Sequence, residues 1–405
     1  MRTIALWLTS LIVFTIPWED AIIITGLGTV TRMIGILTAV FWLGVALVER
    51  RFRKPHPFHL FAFLFILWNI ASFFWSFGGD ETEQRIKTYL QLGVLTWILW
   101  DLYTSPDSLR SAMRAYILGC YITIFSTISN YITGQGISTY QADRFAGAGT
   151  NANDLALILA LGLPIAWYLA VTTSKDMRKS FLIMICYAYV PAALFSISLT
   201  ASRMALFATV PTFVYILATA KRVKPLYGVL ILAALIGSIP FIPQTSIDRL
   251  GTTGTSLSTG DLGGRGRLWH ASMGVFLDHP LLGIGSGVLS TANSIGAAAH
   301  NTFLSVMAEL GLIGLIFFAG MLAIVTVQAL KQPKSLSRLW ITVLSIWAIG
   351  VFTLTWEYRK TTWLLLSFVV ISSSLYRQGH SGMEGPSTSD CALLRTGFSG
   401  IRETH

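Results

Sequence analysis

The sequence predicts an all-α fold, a polytopic membrane helix bundle of about 12 transmembrane helices with one large loop containing helical segments. Three observations predict it. Of 405 residues, 53% are hydrophobic and 12% are charged, about half the charged share of an ordinary soluble domain. Apolar runs long enough to cross a bilayer recur from one end of the chain to the other. The alternating ten-residue strands that mark a membrane barrel are absent from the pattern.

Taken in order, spans are expected at about 3–17, 21–48, 57–77, 87–101, 109–132, 152–172, 180–200, 203–220, 224–241, 301–330, 337–354 and 361–376. The first resembles a signal peptide, but Pro17-Trp18-Glu19-Asp20 follows it where a small-residue cleavage site would stand, so it reads as a retained span. The second is long enough to contain a break near Gly26-Leu27-Gly28, and the fourth is short for a full crossing. Basic clusters fall on alternate loops: Arg50-Arg51-Phe52-Arg53-Lys54, Lys175 with Arg178 and Lys179, Lys221 with Arg222, and Lys331 with Lys334. One side then holds 19 Lys and Arg against 7 Asp and Glu. That bias places both termini in the cytoplasm. The chain divides into nine helices over 1–241, an outer loop over 242–300, three helices over 301–378 and a polar tail over 379–405, which reads as disordered. Cys120 and Cys186 lie in apolar runs and Cys391 in the tail, so the cysteines form no disulfide framework.

The outer loop is the informative part. Its Ser/Thr/Gly-rich piece, Thr252 to Gly260, reads as mobile. From Arg265 an amphipathic helix is expected, carrying Leu268, Trp269, Met273 and Phe276 and stopped at Pro280. A glycine-rich turn, Leu281 to Gly287, follows. Charge beside lipid is costly, so the outer-face arginines need an explanation. Arg203 opens a span, Arg265 opens a helix after two glycines, and Arg267, Arg144, Arg359 and Lys360 share that side. Guanidinium groups give bidentate contacts to phosphate, and helix-start N–H groups add to an anion site. Snorkelling to headgroups is the plainer alternative for each arginine taken singly. His300 stands at the outer mouth of the tenth span after Gly296-Ala297-Ala298-Ala299, where small neighbours leave room for a ligand. A histidine there can take a proton from a hydroxyl near neutral pH. His270 and His279 read as packing or surface residues. Glu309 reads as a structural hydrogen-bonding group, whereas Glu357 and Tyr358 could pair with an arginine or orient a sugar. No His/Asp/Glu set at metal-ligand spacing and no Asp-x-Asp occurs, so neither a metal nor a cofactor is expected.

Four segments together resemble the shared core of the O-antigen ligase/polymerase superfamily: Arg265-Gly266-Arg267-Leu268-Trp269, Asp278-His279-Pro280-Leu281-Leu282-Gly283-Ile284-Gly285, His300-Asn301-Thr302-Phe303-Leu304, and Glu309-Leu310-Gly311-Leu312-Ile313-Gly314. They fall within a stretch of about an eighth of the chain, and the expected topology is similar too. The resemblance implies a metal-independent, membrane-embedded glycosyltransferase of the bacterial inner membrane, with its site facing the periplasm. Its donor would be an undecaprenyl-pyrophosphate-linked glycan and its acceptor lipid A–core, as in an O-antigen ligase; membrane lipids would surround it, and no nucleic acid is involved. The resemblance carries catalytic roles onto Arg203, Arg265 and His300. Substrate contacts are expected from Arg267, Arg144, Asn301, Arg359, Glu357 and Tyr358. An O-antigen polymerase or a protein O-oligosaccharyltransferase of the same superfamily is the nearest alternative. A lipid-linked glycan transporter is the alternative of another class, and it would predict mid-span charges and paired broken helices.

Overall fold

The computed structural model describes residues 1–136, 144–173, 177–219, 225–251 and 265–381. Thr252 to Gly260, Gly263-Gly264 and the tail beyond residue 381 lie outside the described residues. The helices are α1 (Arg2–Thr15), α2 (Val30–Glu49), α3 (Pro57–Ala71), α4 (Gly79–Leu102), α5 (Pro106–Ile132), α6 (Ala152–Thr172), α7 (Met177–Leu199), α8 (Arg203–Thr219), α9 (Pro225–Ser238), α10 (Gln244–Gly251), α11 (Arg265–Asp278), α12 (Leu289–Ala292), α13 (Thr302–Leu330), α14 (Lys334–Val351) and α15 (Lys360–Ser381). Among the described residues the only sheet is a pair of two-residue strands. The chain is thus an all-α membrane protein. Seven helices (α1, α2, α3, α5, α6, α7 and α13, some with an added 3-10 turn) are long and apolar enough to cross a membrane. α8 and the stretch Pro225–Phe241 are apolar but shorter.

Two expected spans are corrected. The run over 21–48 does not begin as a helix. Ile23–Ile24 and Gly28–Thr29 pair antiparallel across Gly26, whose φ of 82° suits glycine. Thr29 then caps α2 by accepting from the Arg32 N–H, which fixes the helix start at Val30. The fourth run, expected over 87–101, is one end of a 24-residue helix. Its first turns carry Asp80 and Glu81, acids that suit a helix N-terminus but lower the hydropathy there.

The core is centred on α6. That helix is apolar around its whole circumference, so a single lipid face cannot satisfy it and it sits inside the bundle. It packs against α5, α7, α8 and α14, and most of its side chains from Ala152 to Ala170 are buried. Its N-terminus is capped by Asn151, which accepts from the Asn153 N–H. The other organising helix, α13, is broken at Gly311, where φ 66° and ψ −167° interrupt the regular turn. A Cβ at Gly311 would lie 2.1 Å from the Leu281 carbonyl oxygen, so the break and the close approach both require glycine.

Candidate active site

The break in α13 is filled by the glycine-rich turn that follows α11. The N–H groups of Ile284 and Gly285 donate to the carbonyls of Ala308 and Glu309 at 3.1 and 2.9 Å. The Leu312 N–H donates to the Pro280 carbonyl at 2.8 Å. Trp68 Nε1 donates to the Leu310 carbonyl at 2.9 Å. The backbone groups released by the break therefore find partners in protein, as irregular backbone in a membrane protein must. The Glu309 carboxylate continues the same pattern. It accepts from the Gly287 N–H at 2.7 Å and, less directly, from the Leu289 N–H at 3.4 Å, which makes it the structural group its position suggests. Ser286 ties the turn to α3 through Asn69 at 2.6 Å, and Thr82 of α4 donates to the Ser286 carbonyl at 2.8 Å. The turn is a wedge fixed on three sides, and the segment from Val288 to Asn301 hangs between that wedge and the start of α13.

His300 ends that segment. Its φ is 47°, a left-handed conformation rare for a residue with a side chain, and such strain collects where the surrounding structure dictates a position. The adjoining Ala299 is fully buried, whereas His300 itself is exposed. No hydrogen bond holds its ring among the described residues, so both nitrogens are open to a ligand. Asn301 caps α13 with its Oδ1, accepting from the N–H groups of Phe303 and Leu304 at 3.0 and 3.1 Å.

Arg203 starts α8, Arg265 starts α11 and His300 precedes α13. Arg265 lies within electrostatic reach of His300 and of Arg203. Partial loss of solvent, then the Arg265 charge, holds His300 below the ordinary histidine range, while Asp154 pulls it the other way. Burial, then the Arg203 charge, lowers the proton affinity of Arg265. Two guanidinium groups held together against their mutual repulsion form a site suited to an anion of more than one negative charge.

A second charged group, which includes Asp154, lies within electrostatic reach of His300. Asp154, in the first turn of α6, accepts from Trp356 Nε1 at 2.8 Å and from Arg359 Nη2 at 2.7 Å. Arg359 Nη1 lies 3.8 Å from Asp20, and Lys360 pairs with Glu19. Next to this, Arg85 of α4 lies over the Tyr358 ring at 3.7 Å and 3.6 Å from Glu357 Oε1. Glu357 also accepts from Ser305 at 3.1 Å. Its carboxyl is pushed up to about 7 by burial, against the pull of Arg85 and with Glu309 adding to the rise. Glu357 Oε2, one Arg85 nitrogen and Arg359 Nε are buried without hydrogen-bond partners, capacity that a bound sugar or water could meet.

The remaining expected residues are placed differently. Arg144 Nε donates to the Thr200 carbonyl at 2.9 Å and Nη2 to Asn153 at 3.2 Å, so it clamps the segment before α6 onto the α7–α8 turn. Arg267 projects from α11 as an exposed side chain. Asp154, Arg85 and Trp356 belong to the charged group and were not singled out from the sequence. The available signal for Asp154 was an acid in the first turn of a long apolar helix, and for Arg85 a cation in a segment read as a loop.

Among the described residues no three His, Cys, Asp or Glu side chains gather as a metal-holding group. Residues 188–319, under half of the chain, match the family described as O-Antigen ligase, and this match supports a likeness to that superfamily. The matched stretch contains Arg203, Arg265, His300 and Glu309, and leaves out Arg85, Asp154, Glu357 and Arg359. No curated protein matches the chain.

Proposed function

We propose, from the superfamily and from the charged end of the bundle, that this chain transfers a glycan from undecaprenyl pyrophosphate to a sugar hydroxyl of lipid A–core at the periplasmic face of the inner membrane. The observation that supports this reading is that Arg265 lies within electrostatic reach of both His300 and Arg203, each at the start of a separate element. The lowered proton affinity of His300 leaves its imidazole neutral near pH 7, the form a base must have. In the reaction, the imidazole takes the acceptor hydroxyl proton as the oxygen attacks the anomeric carbon. The bond from that carbon to the pyrophosphate oxygen breaks, and its electron pair leaves with the pyrophosphate. Arg203 and Arg265 hold the pyrophosphate and stabilise the charge it gains, which counts most where solvent is thin. A single displacement of this kind inverts the anomeric centre. Arg359, Glu357 and Tyr358 would meet the sugars.

The test is transfer by purified protein in lipid, with an undecaprenyl-pyrophosphate-linked glycan as donor. Lipid A–core is offered against a second lipid-linked glycan as acceptor. Product on lipid A–core is expected, with a loss of at least about a hundredfold for His300→Ala. Product only on the second lipid-linked glycan would make the chain a polymerase, and near wild-type transfer by His300→Ala would remove the histidine from the chemistry.

A further inference from the structure

The proposed site contains a conflict. A pair of arginines suits a departing pyrophosphate, but the same positive charge opposes any proton arriving on His300. Arg265 of α11 acts on the imidazole directly, with Arg203 of α8 behind it. Arg359 and Tyr358 of the loop after α14 stand behind Asp154 of α6. A base placed among guanidinium groups with no negative charge nearby would be neutral at rest and too weak in the transition state. Of the groups that act on the His300 ring, Asp154 is the negative one.

We infer that Asp154 is the positioning residue of this site: it pins the Trp356–Arg359 loop and supplies the counter-charge that lets His300 take a proton beside the arginines. The inference rests on the reading of His300 as the base. Geometry supports it. Asp154 is 8% exposed, and each of its oxygens accepts one bond, from Trp356 and from Arg359. A carboxylate has about four lone-pair positions, so those bonds leave its charge and part of its acceptor capacity facing the site. The two donors lie at positions 356 and 359, so the loop beside His300 cannot shift without breaking a charge-assisted bond. Asp154 sits in the first helical turn, where the N–H groups of α6 favour a negative side chain. The carboxylate is therefore held from the helix side and by the loop, whose Trp356 backbone N–H donates to Thr302 Oγ1 at 2.8 Å, two residues after His300.

The experiment reads His300 without relying on transfer. Diethyl pyrocarbonate modifies neutral imidazole, and mass spectrometry of the His300 peptide follows the rate against pH in the full chain in lipid. The sign follows from the charge: Asp154 favours the protonated ring, so Asp154→Asn leaves more neutral imidazole at acid pH. On the acid side, well below the His300 titration, the modification rate should rise severalfold, and the acid limb of the transfer profile should move to lower pH. Trp356→Phe removes one neutral bond to Asp154 and keeps the charge. It should leave the His300 profile unmoved, whereas a merely structural role for Asp154 would make the two variants alike. If Asp154→Asn does not fold, Asp154→Ser removes the same charge and leaves room for water at Trp356 and Arg359. A His300 profile unmoved in the charge-removing variants, or failure of both to fold, overturns the inference. A moved His300 profile without any transfer would instead leave the electrostatic coupling standing and sink the transferase reading.

Discussion

The two ends of the bundle both carry arginines, tryptophans and acids, and they use them in opposite ways. At the end opposite His300, the Arg53 guanidinium donates to the Trp100 carbonyl at 2.8 Å and to Ser374 at 2.8 Å, and lies 3.7 Å over the Trp100 ring. Asp101 there accepts from Trp42 Nε1 at 3.0 Å and from the Arg53 N–H at 2.8 Å, with Arg2 at 3.3 Å. At the His300 end, buried polar atoms of Trp18, Arg85, Ser202, Trp269, Thr355, Glu357 and Arg359 have no hydrogen-bond partner. Protein interiors avoid such atoms because each unmet group costs about 1–3 kcal/mol. Thr96, Ser196 and Thr212 carry such atoms too, but among the described residues the charged ones, on Arg85, Glu357 and Arg359, lie at the His300 end, which distinguishes charges that hold the structure together from charges kept available for something else.

Substitutions at the two ends should separate these uses. The largest effect is expected for Arg265→Ala: transfer falls by about a hundredfold or more while the thermal midpoint stays close to wild type. A drop in the midpoint with unchanged transfer per folded molecule would reverse the assignment. Arg53→Ala is the counterpart. It should destabilise the protein by about 1–3 kcal/mol in denaturation, since it removes the guanidinium that donates to the Trp100 carbonyl and to Ser374, and change transfer per folded molecule only severalfold. The smallest effect concerns Glu357. Its folded carboxyl titrates at about 7 against an ordinary 4.5, so the folded state binds the proton more tightly than the unfolded one. Stability is therefore fully favoured below about 4.5 and lost as pH rises through about 7. The thermal midpoint should fall across that window, and Glu357→Gln should flatten the slope; an unchanged slope would mean that Glu357 is ionised throughout.

The sequence revealed the bundle more readily than the site, for physical reasons. Hydropathy reports what faces lipid, so the apolar runs marked the helices. It missed the first turns of α4, whose Asp80 and Glu81 serve the helix end, and it read across the hairpin at Gly26. Arg265 and His300 could be named as candidates because they stand in a polar stretch between apolar ones, with glycine and alanine beside them. Glu309 was legible as structural because it lies on the far face of its helix from His300. Asp154 was not, because an acid in the first turn of a helix has a sufficient local explanation. Only folding brings it to Trp356 and Arg359, 202 and 205 positions away. Arg144 shows the reverse error: an outer-face arginine that looked available for substrate is committed to Thr200 and Asn153.

The wedge at Gly311 also bears on the order in which the chain is made. Trp68 and Trp75 are synthesised early, but the carbonyls they donate to belong to Leu310 and Leu282, 242 and 207 residues later. Thr82 waits 204 residues for Ser286. Proteins emerge N-terminus first, at about 5–20 residues per second, so a ribosome that has finished α9 has released most of the helices and none of these closures. The wedge then closes only after α9 is complete, and a chain cut short before Leu282 would carry Trp68, Trp75 and Thr82 with none of these partners.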